Sequence, residues 1–180
     1  MHFNTYTVAG AHIAVWLVNH PAPEPAALAA ELHRHEVHEP LVTAQEAAAL
    51  EPWAARLREV FEADIVAGKA QRTDALLVAA DCRPRLVSHG ADRPYHLHYA
   101  PVETGLAARV RALTAAGLAH VIDGGAGARL RTCDRIVCAT AFLDTSRNGR
   151  RRFCEVRCAN QVNVANHRRR RIAGPLSRER

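Results

Sequence analysis

The sequence predicts a mainly α-helical protein with one small β-hairpin, an α+β chain that closes in a C-terminal, treble-clef-like four-cysteine finger. Three observations predict it. Apolar residues recur at intervals of three and four behind a helix-capping signature at Thr43. Tyr95, Leu97 and Tyr99 alternate with His96 and His98. Cys133, Cys138, Cys154 and Cys158 fall within 26 residues.

The chain has 180 residues, 48% of them hydrophobic and 23% charged, which supports a core and excludes general disorder. No apolar run approaches the roughly 18 residues of a membrane span. The opening residues lack the basic stretch and apolar core of a signal peptide, so a cytoplasmic protein with no membrane partner is expected.

The elements follow in order. Ala11–Asn19 is too apolar for a surface segment and reads as a short buried helix or a strand, ended by the proline-spaced residues 21–25. Pro25–Arg34 reads as a short helix. Thr43 and Glu46 form a capping box, and Leu50, Trp53, Leu57, Val60 and Phe61 make one stripe of a long helix that Gly68 ends. Thr73–Ala80 is a further short helix. Segments 83–88 and 93–100 flank a turn at residues 89–92 and predict a half-buried hairpin, in which Tyr95, Leu97 and Tyr99 alternate against His96 and His98. Leu106–Ile122 is a helix with Leu106, Val110, Leu113, Leu118 and Val121 inward. Residues 124–127 (GGAG) read as a flexible joint. They separate a first domain, residues 1–127, from a second, residues 128–180.

Charge divides at the same place. Residues 129–180 hold 14 arginines against 4 acidic residues, whereas residues 1–128 hold 10 basic and 14 acidic ones. Lys69 is the only lysine. A net +10 in the last fifty or so residues points to an anionic partner.

Five cysteines, an odd number, argue against a disulfide framework; two close pairs and a spacer argue for a metal. Cys133 and Cys138 suit a knuckle. Residues 140–144 suit a strand, Asn148 and Gly149 a type I′ turn, and residues 150–153 the returning strand, with Phe142 and Phe153 over the metal. Cys154 and Cys158 then lie one helical turn apart. A closed four-thiolate site holds one structural Zn²⁺ per chain, with no open position for catalysis. An iron–sulfur cluster is the alternative occupant.

Arg147, Asn148, Arg150, Arg151 and Arg152 lie on or beside that hairpin. Arg157, Gln161, Arg168, Arg169, Arg170 and Arg171 follow in the last helix. Guanidinium groups suit phosphates, and arginine, asparagine and glutamine suit base edges in a major groove. Charge alone leaves DNA and RNA open, and some of these arginines could instead balance the thiolates.

The first domain offers no convincing catalytic constellation, and no enzyme is expected. His33, His35 and His38 beside Glu31, Glu36 and Glu39 read as a solvated helix end. His96 and His98 share a strand face, read as a buried pair or an exposed face rather than as ligands. Cys82 reads as a small core residue.

The run RLRTC, DRIV and CATAFLDTSRNGRRRFCEVRCANQ, within residues 129–171, resembles the CGNR zinc-finger family. The resemblance implies Cys133, Cys138, Cys154 and Cys158 as zinc ligands and residues 144–149 as the family's DTSRNG loop. The naming motif is altered: Ala159 stands where the family has glycine and Gln161 where it has arginine, while Asn160 is kept. The order of the segments IAVWLVN, LVTAQEAAAL, PRLVSHG and YHLHYAP looks like the helical ABATE domain usually paired with this finger. Such proteins are described as stress-induced transcription regulators. The resemblance implies a prokaryotic, nucleoid-associated protein that binds double-stranded DNA. An RNA-binding protein and a zinc-dependent protein-interaction module are the alternatives. A small-molecule effector would meet Trp16, Asn19, Tyr95 and His96, and a homodimer would extend a small DNA footprint.

Overall fold

Helix α1 (Thr5–Asn19) is the centre of the molecule, and its composition explains why. A helix that is apolar all round has no face for water, and no residue from Val8 to Asn19 is exposed. The computed structural model describes residues 5–37, 41–88 and 95–172. The turn expected at residues 89–92, together with His38 and Glu39, lies outside them.

Helix α2 (Pro25–Arg34) begins with proline at its first position, where the missing N–H costs nothing, and buries Leu28 and Leu32. The single long helix expected from Thr43 is two. The capping box forms, with the Glu46 amide donating to Thr43 Oγ1 at 3.2 Å and the Thr43 amide to Glu46 Oε2 at 3.0 Å. It starts only α3 (Ala44–Ala48). Pro52 has no N–H for the carbonyl four residues back, so the helix breaks and restarts as α4 (Glu51–Glu62). The apolar stripe is real: Trp53, Leu57, Val60 and Phe61 are all buried. The stop comes at Ala63, in extended conformation, and Gly68 instead lies inside α5 (Val66–Ala79), which includes the expected segment from Thr73.

Strands β1 (Arg85–Val87) and β2 (His96–His98) form the expected antiparallel hairpin, with Leu86 opposite Leu97. Of its two faces, the one that carries the histidines is the more covered. Tyr95 is 74% exposed, Leu86 69% and Leu97 44%, while His96 and His98 are half-buried. Alternation identifies two faces, but only the surroundings decide which one is covered.

Helix α6 (Gly105–Val121) lies against α1 with Gly10 and Gly117 at the crossing. A Cβ on Gly117 would stand 2.3 Å from the Ala11 nitrogen, so only glycine permits this approach. Trp53 Nε1 donates to the buried Thr114 hydroxyl at 2.9 Å, joining α4 to α6.

The joint expected at residues 124–127 is packed. Gly125 takes φ +71°, and irregular helical turns run from Ile122 to Arg129. Ala126 and Gly127 are buried, and a Cβ on Gly127 would meet Val66 at 2.9 Å. Strands β3 (Leu130–Thr132) and β4 (Ala141–Leu143) then pair antiparallel, Arg131 opposite Phe142. Leu130, Ala141 and Leu143 share one core with Leu17, Leu57 and Leu118. Helix α7 (Val156–Ile172) closes the described chain.

Candidate metal centre

The hairpin β3–β4 frames the first cysteine pair. The Cys133 amide donates to Thr140 O at 2.9 Å, closing the loop between the strands. Within it the Cys138 amide donates to Arg135 O at 2.8 Å, a tight turn that brings both thiols to one side. The expected partner strand at residues 150–153 does not form. Type I′ geometry requires positive φ at both central residues; Gly149 has φ +61°, but Asn148 does not share the left-handed region.

A buried carboxylate organises this segment instead. Asp144 accepts the Ser146 amide at 2.9 Å and the Arg151 amide at 2.8 Å, so residues 144–151 wrap around it rather than pair as a ladder. Burial alone would raise the Asp144 pKa. The hydrogen bonds from Ser146 and Arg151, with the nearby Arg129 charge, overcome this and hold it below the ordinary carboxylate value. Arg129 donates to the carbonyls of Asp144 at 2.9 Å and Ser146 at 2.6 Å, filling the space that a side chain at residue 149 would need. The wrapped loop delivers Cys154 beside the first turn of α7, which carries Cys158.

The four Sγ atoms lie within 4.8 Å of one another. Tetrahedral zinc with Zn–S bonds of about 2.3 Å requires S···S edges of about 3.8 Å. Cys138 to Cys154 is 3.8 Å and Cys154 to Cys158 is 3.7 Å. The donor set and spacing therefore fit zinc, and all four positions are protein thiolates, which makes the site structural. Hydrogen bonding with Thr140 holds the Cys138 thiol down to about 6, whereas burial pushes the Cys154 thiol up. Arg135 Nη1 lies 3.8 Å from Cys158 Sγ and offsets thiolate charge. A cleft of about 480 Å³ lined by Arg135, Thr140, Glu155 and Arg157 opens beside the cysteines.

The predicted surface residues divide by what they already hold. Arg151 lies 5.5 Å from the Phe142 ring centroid and donates to the carbonyls of Phe153 and Cys154. Arg152 pairs with Asp134 at 2.6 Å. Arg147, Asn148, Arg150, Arg157 and Gln161 are exposed, as is every residue from Asn163 to Arg171, including Arg168, Arg169, Arg170 and Arg171.

The four residues expected to meet an effector fall into two places. Trp16 stacks on His20 with ring centroids 4.5 Å apart. Both ends of the Asn19 amide are taken by the Ala141 backbone, each at 2.9 Å, so this residue ties α1 to β4. Tyr95 and His96 belong to the β2 hairpin. The reasoning from sequence missed Asn19 as a clamp, and it missed Asp144 and Arg129. The aspartate within DTSRNG, before two small polar residues, was the only available signal.

A hairpin-framed cysteine knuckle and a second pair at a helix start define the class: a structural four-cysteine zinc-binding module. Residues 129–171 match the model of the CGNR zinc finger, and all four clustered cysteines lie within the matched segment. The match begins at Arg129 and does not reach the helical body. No curated protein matches the chain. No helix among the described residues is long and apolar enough to cross a membrane.

Proposed function

We propose that the protein is a non-enzymatic, double-stranded-DNA-binding regulator that presents α7 from its zinc site. The observation that carries this reading is the exposure of α7. Its 17 residues extend about 25 Å, and a helix with so little buried surface has no reason to persist for the sake of the core. Arg157, Asn160, Gln161, Val164 and Arg168 recur at three- and four-residue spacing along one side, combining base-edge and methyl-contacting chemistry. Arg169, Arg170 and Arg171, with Arg147 and Arg150 on the loop, provide phosphate contacts. Arg151 and Arg152, engaged within the finger, contribute local charge. The zinc's part is to fix the helix start against the knuckle.

The test is fluorescence anisotropy of the zinc-loaded chain with a labelled duplex and a matched RNA hairpin over a salt series, followed by selection from genomic fragments. Tighter duplex binding and enrichment of a shared motif are expected. Replacing Arg169, Arg170 and Arg171 by glutamine should reduce the log–log salt slope by up to about 2.7, about 0.9 for each phosphate no longer neutralised. Equal affinity for the RNA would reassign the ligand, and binding insensitive to salt would favour a protein partner.

A further inference from the structure

The β1–β2 hairpin turns both of its histidines to its half-buried side, where Val87 lies opposite His96. Leu86 and Leu97 face each other across the strands and point to water with Tyr95, while His96 and His98 occupy the half-buried side. The hydrophobic effect alone selects the opposite facing. A local rule broken without a packing gain is a recognised mark of a functional position.

The two imidazoles converge. Nε2 of His96 and Nε2 of His98 lie 3.0 Å apart, with ring centroids at 4.9 Å and planes inclined by 54°. The 3.0 Å separation is the length of an N–H···N hydrogen bond between the rings. The same two nitrogens also form a chelating edge. With metal–nitrogen bonds of about 2.05 Å, a 3.0 Å edge subtends about 94° at a cation. That is a cis angle of tetragonal or octahedral coordination; a tetrahedral ion would need an edge of about 3.4 Å. The strand end is anchored. Tyr99 Oη lies 2.7 Å from His120 Nε2 on α6, and the Arg83 amide donates to Tyr99 O at 2.8 Å.

We infer that His96 and His98 chelate a first-row divalent cation of tetragonal preference, Ni²⁺ or Cu²⁺, at a second metal site separate from the four cysteines. Binding moves the Nε2 proton of the donor ring to Nδ1 and directs both Nε2 lone pairs at the ion. This gives the helical body an inorganic ligand of defined class. It does not depend on DNA binding.

The test uses the full, zinc-loaded chain and Ni²⁺ as the probe, with equilibrium dialysis and elemental analysis of both metals. One saturable nickel equivalent is expected, with one zinc retained. His96→Gln and His98→Gln should each weaken that equivalent about tenfold or more. His35→Gln, which alters another histidine of the body, should leave it unchanged. Circular dichroism and melting of each variant establish that it is folded, and paramagnetic broadening of imidazole signals gives a second readout in the wild type. The inference is overturned if no nickel equivalent saturates, if nickel uptake tracks zinc loss, or if folded His96→Gln and His98→Gln bind nickel like the wild type.

Discussion

Removal of the Asp144 carboxylate tests whether the loop between the cysteine pairs is held as described. In Asp144→Ala, the amides of Ser146 and Arg151 lose the acceptors they meet at 2.9 and 2.8 Å. An unsatisfied buried donor costs about 1–3 kcal/mol. Ser146 and Arg151 are exposed residues, so water recovers part of this loss, and the total comes to about 2–4 kcal/mol. Zinc binding and folding of a small finger are one equilibrium. The loss should therefore appear as about 30- to 700-fold weaker zinc binding, at 1.4 kcal/mol per factor of ten. Asp144→Asn keeps one acceptor but turns an NH₂ toward the other amide, and should fall between wild type and alanine. The pH sign follows from the depressed pKa: the contribution is fully present above the unfolded value near 4 and is lost as pH falls through the folded one. Competition with a chromophoric chelator at pH 7.5, beside thermal melting, measures the effect. Unchanged zinc affinity and melting in folded Asp144→Ala would refute the account of the loop.

Gly117→Ala places a methyl 2.3 Å from the Ala11 nitrogen and forces α1 from α6. An overpacking cost of about 1–3 kcal/mol should lower the melting temperature by roughly 3–10 °C, read by calorimetry. Lys69, buried between α4 and α5, donates to the carbonyls of Val60 and Phe61, each at 3.1 Å, at the end of α4. Lys69→Met removes both charge-assisted bonds while keeping the stem, and should cost about 2–4 kcal/mol in urea unfolding. His12 has its pKa lowered, first by burial and then by His35, with which it stacks at 5.6 Å. The unfolded chain therefore binds the proton more readily, and stability should fall as pH drops below about 6.5; His12→Gln should flatten urea-derived stability between pH 7 and 5.

Local signals were legible. The proline at the start of α2 and the Thr43–Glu46 box each mark an end that chemistry within four residues decides. The four cysteines were legible because ligand spacing is itself local. Pro52 was equally local and should have split the long helix; the apolar stripe, which continues across the break, concealed it. The facing of the β1–β2 hairpin was not legible, because alternation is symmetrical until a neighbour covers one side. Nor was the role of Asn19. Its partner, Ala141, is 122 residues away, and nothing near Asn19 distinguishes a clamp from a helix-terminal asparagine. Glu31 shows the same limit: a residue read as part of a solvated helix end is buried and paired with Arg34 and His35.

The change of charge at Arg129 and the packing of the core describe two different divisions of the chain. An arginine-rich segment joined by GGAG suggests a finger moving on a tether, but the contacts argue for a docked one. β4 is buried along its whole length, and Leu130 and Leu143 fill the same core as α1 and α4. Arg58 on α4 donates to Ala139 O at 2.9 Å and to Val18 O at 2.6 Å, one guanidinium spanning the last turn of α1 and the knuckle. Asn19 completes the attachment through both backbone atoms of Ala141. These contacts lie on β4 and the knuckle, leaving α7 exposed from Asn163 to Arg171. Among the described residues, no acidic side chain of the body pairs with an arginine of α7. The body buries the strand beneath the metal site and so sets the direction in which the helix leaves it.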